Sequence, residues 1–125
     1  MRIHGISEFF AAFVLAAVLL FAQGVMAVEP GPVTPEAGKA MIQQQEDLVI
    51  LDVRNPHEYV VVHYPNALNI PVNELEARIA EVPAGRPVLV HCAIGKRSAR
   101  GYEILQEKRP DIKALYYIKG EPLFN

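Results

Sequence analysis

The only cysteine of this chain, Cys92, stands in the run from His91 to Ser98. This run follows the apolar residues 88–90 and precedes residues 98–108, which have a composition typical of a helix. Where a tight loop joins a strand to a helix, backbone N–H groups and the helix dipole converge on one point and bind anions. A cysteine placed there has a lowered pKa, and its thiolate is a nucleophile near neutral pH.

The rest of the loop fits an anion site. Gly95 allows the chain to turn with positive φ, and Lys96 and Arg97 add positive charge that would attract an anionic substrate. These two side chains are also compatible with ordinary solvated charges at the start of a helix. The cysteine between strand and loop favours the first interpretation.

Length and composition predict one domain preceded by a targeting segment. The chain has 125 residues, of which 51% are hydrophobic. Arg2 is followed by apolar residues 9–22 and then by Val25-Met26-Ala27, a pattern typical of a cleaved signal peptide. We therefore expect residues 1–27 to be a signal peptide and residues 28–125 to be an exported, periplasmic domain that no longer contacts the membrane. The alternative is an uncleaved membrane anchor over residues 9–28.

Charge and cysteine content narrow the function classes. The formal net charge is −2, which gives no indication of nucleic-acid binding. Exported proteins use cysteines mainly in disulfide pairs, so a lone cysteine is either buried and inert or a free reactive thiol. The loop around Cys92 favours the reactive thiol. The histidines are not at metal-ligand spacing, so we expect neither a metal site nor a cofactor.

Strand-like and helix-like segments alternate along residues 28–125. Apolar runs predict strands, and proline, asparagine and threonine at cap positions predict helix starts. This alternation predicts an α/β fold with a parallel sheet, helices on both faces and the cysteine loop at the carboxyl end of a strand. The predicted strands cover residues 28–33, 48–53, 67–70, 88–91 and 112–118, and the predicted helices cover residues 34–45, 56–61, 74–81 (capped by Asn73) and 98–108.

Two groups of residues together resemble the rhodanese family of single-domain sulfurtransferases. One group is Leu51-Asp52-Val53-Arg54, Glu58-Tyr59 and His63-Tyr64-Pro65-Asn66-Ala67-Leu68-Asn69-Ile70-Pro71, and the other is the loop Cys92-Ala93-Ile94-Gly95-Lys96-Arg97-Ser98. The resemblance covers nearly all of residues 28–125. It departs from the family at Val62 and Ala93, and at a single Gly120 where many members have two glycines, so the resemblance does not define how one side of the site is covered.

The resemblance implies a rhodanese-like sheet of five parallel strands and a role for each loop residue. Cys92 takes a sulfane sulfur from thiosulfate or a similar small anionic donor as a persulfide, and cyanide or a thiol acceptor then removes it. The backbone amides of residues 93–97 (Ala93, Ile94, Gly95, Lys96 and Arg97) hold the sulfur anion, Lys96 and Arg97 attract the donor, and Ser98 ties the loop to the helix. We expect a monomer.

Other residues of the motifs have structural roles in this interpretation. Asp52, Arg54 and Glu58 are expected to form buried polar contacts beneath the loop, because charges at strand ends are usually paired. His63 and His91 are expected to pack or to form hydrogen bonds rather than to bind metal.

Two other functions share parts of this pattern. A persulfide carrier that delivers sulfur to a partner protein would use the same loop without turnover. A cysteine phosphatase or arsenate reductase fits less well, because a phosphatase cradle needs an arginine six positions after the cysteine, where this chain has Ser98.

Overall fold

The computed structural model describes residues 28–125, which form one parallel β-sheet with helices on both faces. The predicted signal peptide lies outside the described residues and stays a prediction. The strands are β1 (Gly31–Val33), β2 (Val49–Asp52), β3 (Leu68–Asn69), β4 (Val88–His91) and β5 (Leu115–Ile118). All four neighbouring pairs are parallel, in the order β1-β5-β4-β2-β3. β4 is therefore the central strand, and its carboxyl end lies between β5 and β2. Cys92 is the first residue after this end.

Three α-helices cover the sheet: α1 (Pro35–Gln44), α2 (Pro56–Val61) and α3 (Lys96–Lys108). The start of α1 is capped by Thr34, whose hydroxyl accepts a hydrogen bond from the amide of Ala37 at 3.1 Å. Asn55 and Glu58 form a capping box at the start of α2. None of the helices in residues 28–125 is long and apolar enough to cross a membrane.

The two faces of the sheet bury separate apolar clusters. On one face, Ile104 and Leu105 of α3 pack with strand side chains such as Leu51 and Val90, and Cys92 belongs to this cluster. On the other face, Met41 of α1 packs against a cluster that includes Leu89 and Ile118. Strands buried on both faces explain the continuous apolar runs, and the predicted rhodanese-like α/β architecture is confirmed.

One predicted helix is wrong. Residues 74–81 form consecutive turns that end in a short 3-10 helix, Ile79–Glu81, instead of an α-helix capped by Asn73. Amides in this segment bond to carbonyls three residues earlier, as Glu81 does to Arg78 at 3.0 Å and Val82 does to Ile79 at 3.3 Å. The burial of Leu75 and Val82 fixes the path of this segment, because tertiary packing overrides weak local helix signals.

Other boundaries differ by a few residues. The last strand begins at Leu115 instead of residue 112, and β3 is limited to two residues. Helix α3 begins at Lys96, two residues earlier than predicted, because Gly95 at φ 104° turns the chain directly into the helix. Lys96 and Arg97 therefore belong to the first turn of α3 and not to the loop before it.

Candidate active site

The sulfur of Cys92 is held by backbone amides at the junction of β4 and α3. Its Sγ accepts hydrogen bonds from the amide of Gly95 at 3.1 Å and from the amide of Ser98 at 3.2 Å. The residue has no exposed surface. Burial alone would raise the pKa of the thiol, but the hydrogen bonds of Ser98 and Gly95 outweigh burial and hold the pKa of Cys92 below its ordinary value.

Ser98 fastens the loop to the neighbouring strand. Its hydroxyl lies 2.9 Å from the carbonyl oxygen of Ile118, at the end of β5, and 3.0 Å from that of Gly95. Gly95 is held close to the same region, because a Cβ atom on it would lie 2.7 Å from the backbone nitrogen of Gly120. Only glycine fits at position 95, for its positive φ and for this close approach.

A buried ion pair follows the neighbouring strand β2. Arg54 donates from Nη2 to Asp52 Oδ2 at 2.7 Å and to the carbonyl of Val62, also at 2.7 Å. His91 lies beside this pair, with Nε2 3.7 Å from Asp52 Oδ2, which is too long for a hydrogen bond. Burial lowers the pKa of His91, although the charge of Asp52 opposes that effect, so the imidazole is neutral near pH 7.

The segment after β5 closes the face of the sheet beside Arg54. The Phe124 ring lies 5.0 Å from the Arg54 guanidinium carbon and packs against the rings of Tyr64 and His91. The Tyr64 hydroxyl donates to the carbonyl of Leu123 at 2.8 Å. The last residues of the chain therefore cover Arg54 and His91 beside the site.

Arg97 and Glu58 form an ion pair between α3 and α2. Nη1 of Arg97 lies 2.7 Å from Glu58 Oε2, and Nη2 lies 3.0 Å from Oε1. The hydrogen bond from Arg97 is the main reason that the pKa of Glu58 falls to about 2. Glu58 is therefore ionised at any pH near neutrality.

Comparisons with known proteins match this arrangement. Residues 34–120 match the family described as Rhodanese-like domain. The chain belongs to the rhodanese-like domain family.

Individual rhodanese-like relatives match at moderate identity. The chain is 32% identical over 63 residues to a sulfurtransferase of Allochromatium vinosum, covering 50% of this chain and 59% of that protein. It is 39% identical over 59 residues to the thiosulfate sulfurtransferase PspE of Escherichia coli, covering 46% and 57%. These matches thus span less than two thirds of either relative. The crystal structure of a rhodanese-related protein from Thermoplasma volcanium matches with a TM-score of 0.59 and 26% identity, covering 67% of this chain and 81% of that chain.

The structure brings the predicted loop residues of this rhodanese-like domain together around Cys92. The amides that bond the sulfur are those of Gly95, within the expected range 93–97, and Ser98, just beyond it. Ala93 is half-buried, Lys96 is exposed and the Ile94 side chain projects into solvent with 68% exposure. Within residues 28–125 no group of acidic, histidine or cysteine side chains is arranged to hold a metal ion.

Two contacts of the rhodanese-like site differ from the sequence-based expectation or were missed. Glu58 does not join Asp52 and Arg54 beneath the loop, because it reaches Arg97 instead and its side chain is 26% exposed. The close approach of Gly95 to Gly120 was not predicted, and only the presence of a glycine at each position hinted at it.

His63 is exposed. Its ring stacks on that of Tyr59, with 3.8 Å between the ring centroids, and its Nδ1 lies 2.8 Å from the Tyr59 carbonyl oxygen.

Proposed function

We propose that this protein is a thiosulfate sulfurtransferase that moves sulfane sulfur through a persulfide on Cys92. The observation that carries the proposal is the pair of amide hydrogen bonds, from Gly95 and Ser98, that converge on Sγ. These donors stabilise a negative charge on the sulfur, which is the form that attacks a donor. Membership of a family with sulfurtransferase relatives supports the same reaction.

The proposed reaction has two steps, and both balance in atoms and charge. The Cys92 thiolate attacks the sulfane sulfur of thiosulfate, the S–S bond of the donor breaks, and sulfite leaves with the bonding electron pair. The outer sulfur of the Cys92 persulfide is then attacked by cyanide, giving thiocyanate, or by a thiolate, giving a new persulfide. Cys92 leaves that second step as a thiolate, ready for another donor.

The amide cradle serves both states of the sulfur. It holds the thiolate before the first step, and the leaving thiolate of the second step regains the same hydrogen bonds. Cys92 has no exposed surface in the described structure, and we propose that the loop shifts when a donor binds.

Mass spectrometry of the purified domain tests the covalent step. Incubation with thiosulfate should add about 32 Da to the peptide that contains Cys92, and excess cyanide should remove that mass. Cys92→Ser should abolish both changes, because a serine hydroxyl is not ionised near neutral pH. Full sulfur transfer by Cys92→Ser would refute the mechanism.

Turnover separates an enzyme from a persulfide carrier. With excess thiosulfate and cyanide, an enzyme forms many thiocyanate molecules per protein, whereas a carrier that needs its protein partner loads once and stops. We expect multiple turnovers, and we expect them in the periplasm with residues 28–125 acting as a monomer. A single loading event would instead favour the carrier.

A further inference from the structure

The Arg97 side chain, in the first turn of α3, is held in place by an ion pair. Both of its terminal nitrogens bind the Glu58 carboxylate, at 2.7 and 3.0 Å. The two side chains are only 30% and 26% exposed, so solvent screens the pair less than it screens a fully exposed one. One edge of the Arg97 guanidinium therefore contacts the Glu58 carboxylate instead of solvent.

The position of this pair matters because Arg97 directly precedes Ser98, whose amide binds the Cys92 sulfur. The hydrogen bonds that Arg97 donates to Glu58 are the main reason that the pKa of Arg97 is raised, and the charge of the Cys92 thiolate contributes in the same direction. The ion pair therefore lies in the first turn of the helix whose Ser98 amide holds the sulfur. Glu58 supplies a negative charge that offsets the positive charge of Arg97 at this place.

This offset changes which donor the site attracts. An uncompensated arginine beside the thiolate favours a dianion over a monoanion, because the Coulomb energy scales with the charge of the ligand. With Glu58 in place, the ion pair is neutral overall and two of the guanidinium donors are already used. The remaining cation of the first turn of α3 is Lys96, which is exposed and forms no salt bridge within residues 28–125.

We propose that Glu58 is a specificity-determining residue that lowers the preference of the Cys92 site for dianionic donors such as thiosulfate relative to monoanionic sulfane-sulfur donors. The inference rests on the proposed sulfur transfer and concerns the charge of its donor: Glu58 lets the site accept, beside thiosulfate, a monoanion such as an organic thiosulfonate, in which a carbon group replaces one charged oxygen. With a thiosulfonate, the Cys92 thiolate attacks the sulfane sulfur, the S–S bond breaks and the sulfinate leaves with the electron pair.

The variant that tests this role is Glu58→Gln. Glutamine keeps the shape of the side chain and still accepts the hydrogen bond from the Asn55 amide, which Glu58 Oε2 accepts at 2.9 Å, so the start of α2 is preserved. The negative charge is lost, together with the one acceptor, Oε1, that binds Arg97 Nη2. Glu81→Gln is the matched control, because Glu81 binds Arg78 in the same two-bond manner at 2.7 and 3.0 Å, on the exposed turn segment after β3.

The donors are thiosulfate and methanethiosulfonate, which carry two negative charges and one. In Glu58→Gln we expect kcat/KM for thiosulfate to rise about three- to tenfold more than kcat/KM for methanethiosulfonate, mostly through KM. Glu81→Gln should leave the ratio of the two values unchanged. A role limited to holding α2 against α3 would lower kcat for both donors by the same factor.

The pH dependence of Cys92 alkylation by neutral iodoacetamide gives a second readout that does not require sulfur transfer. Uncovering the charge of Arg97 should lower the apparent pKa of Cys92 in Glu58→Gln and not in Glu81→Gln. The other charged or titratable groups at the ends of β2 and β4 and in the first turn of α3 are the same in both variants; they are Lys96, the Asp52–Arg54 pair, and His91.

The outcomes distinguish this inference from the proposed function. An unchanged donor ratio, or the same change in Glu81→Gln, would overturn the role of Glu58 while leaving sulfur transfer intact. Failure of the parent protein to load Cys92 from either donor would overturn the proposed function and the donor preference with it.

Discussion

Ser98 acts on the candidate site through two different groups. Its backbone amide binds the Cys92 sulfur, while its hydroxyl lies within hydrogen-bond distance of the carbonyl oxygens of Ile118 and Gly95. The side chain is completely buried. One residue therefore couples the electrostatics of the thiol to the position of the loop, and its removal should affect both.

Ser98→Ala should raise the pKa of Cys92, because the Ser98 side chain as well as its amide helps to lower that pKa. It should also lower the free energy of unfolding by about 1–3 kcal/mol, because a buried carbonyl loses its partner. The folded-state pKa of Cys92 is below its ordinary value, so the thiolate stabilises the fold above the ordinary thiol pKa, and this contribution is lost as pH falls through the folded-state pKa. The stability gap between parent and variant should therefore be wider near about pH 9 than near about pH 6.

Thr34→Ala is the control for this prediction. It removes the hydrogen bond that the Thr34 hydroxyl accepts from the Ala37 amide at the start of α1, and it should lower the free energy of unfolding by about 1 kcal/mol. Chemical unfolding at both pH values and the alkylation rate of Cys92 are the measurements. Equal pH profiles for Ser98→Ala and Thr34→Ala would show that Ser98 does not stabilise the thiolate.

At the scale of elements, the loop between β4 and α3 depends on contact with the end of β5. Gly95 has φ 104° and its Cα faces the backbone of Gly120. Backbone cannot move aside as a flexible side chain can. The loop and the turn after β5 are therefore fixed relative to each other, and the amides that bind the sulfur are fixed with them.

Gly95→Ala should reduce sulfur loading of Cys92 at least about tenfold and destabilise the fold, because a new Cβ would lie 2.7 Å from the Gly120 nitrogen. Gly85→Ala separates this clash from backbone strain. Gly85 also has positive φ, at 72°, but no atom lies within 4 Å of the place where its Cβ would be. We expect Gly85→Ala to lower the free energy of unfolding by about 1–2 kcal/mol, because of its positive φ alone, and to leave sulfur loading of Cys92 unchanged. Equal loading in both variants would refute the requirement for close approach.

Local patterns in the sequence predict the sheet of the whole molecule well. The apolar runs around β2 and β4 are buried on both faces, as parallel strands require, and Thr34-Pro35 marks the start of α1 to the residue. The cysteine loop is equally visible, since its chemistry lies in consecutive residues. Patterns of this kind depend on neighbours in the chain.

Contacts between distant residues account for what the sequence did not predict. Glu58 and Arg97 are 39 positions apart, and nothing in the local spacing of either indicates that they pair. The packing of Phe124 on Arg54 is of the same kind. The turn segment near Asn73 had acceptable helix signals, but burial of Leu75 and Val82 decided its path.

At the scale of the whole molecule, we predict that residues 1–27 direct export and are then removed. Expression of the full chain in a Gram-negative bacterium should yield a periplasmic protein whose N-terminus is Val28, as judged by fractionation and N-terminal mass analysis. Recovery of protein with Met1 or Arg2 intact in the membrane fraction would instead identify residues 9–28 as an anchor.

The parallel arrangement of the strands gives the domain two unlike poles. Val28 precedes β1 and therefore lies near the amino ends of the strands, where its carbonyl accepts a hydrogen bond from Tyr116 at 3.1 Å, whereas Cys92 follows the carboxyl end of β4. A tether attached at Val28 thus leaves the opposite pole unobstructed. Processing of the leader would then govern where the domain resides and not how fast it reacts, so cleaved and tethered forms should consume a dissolved donor at the same rate per molecule.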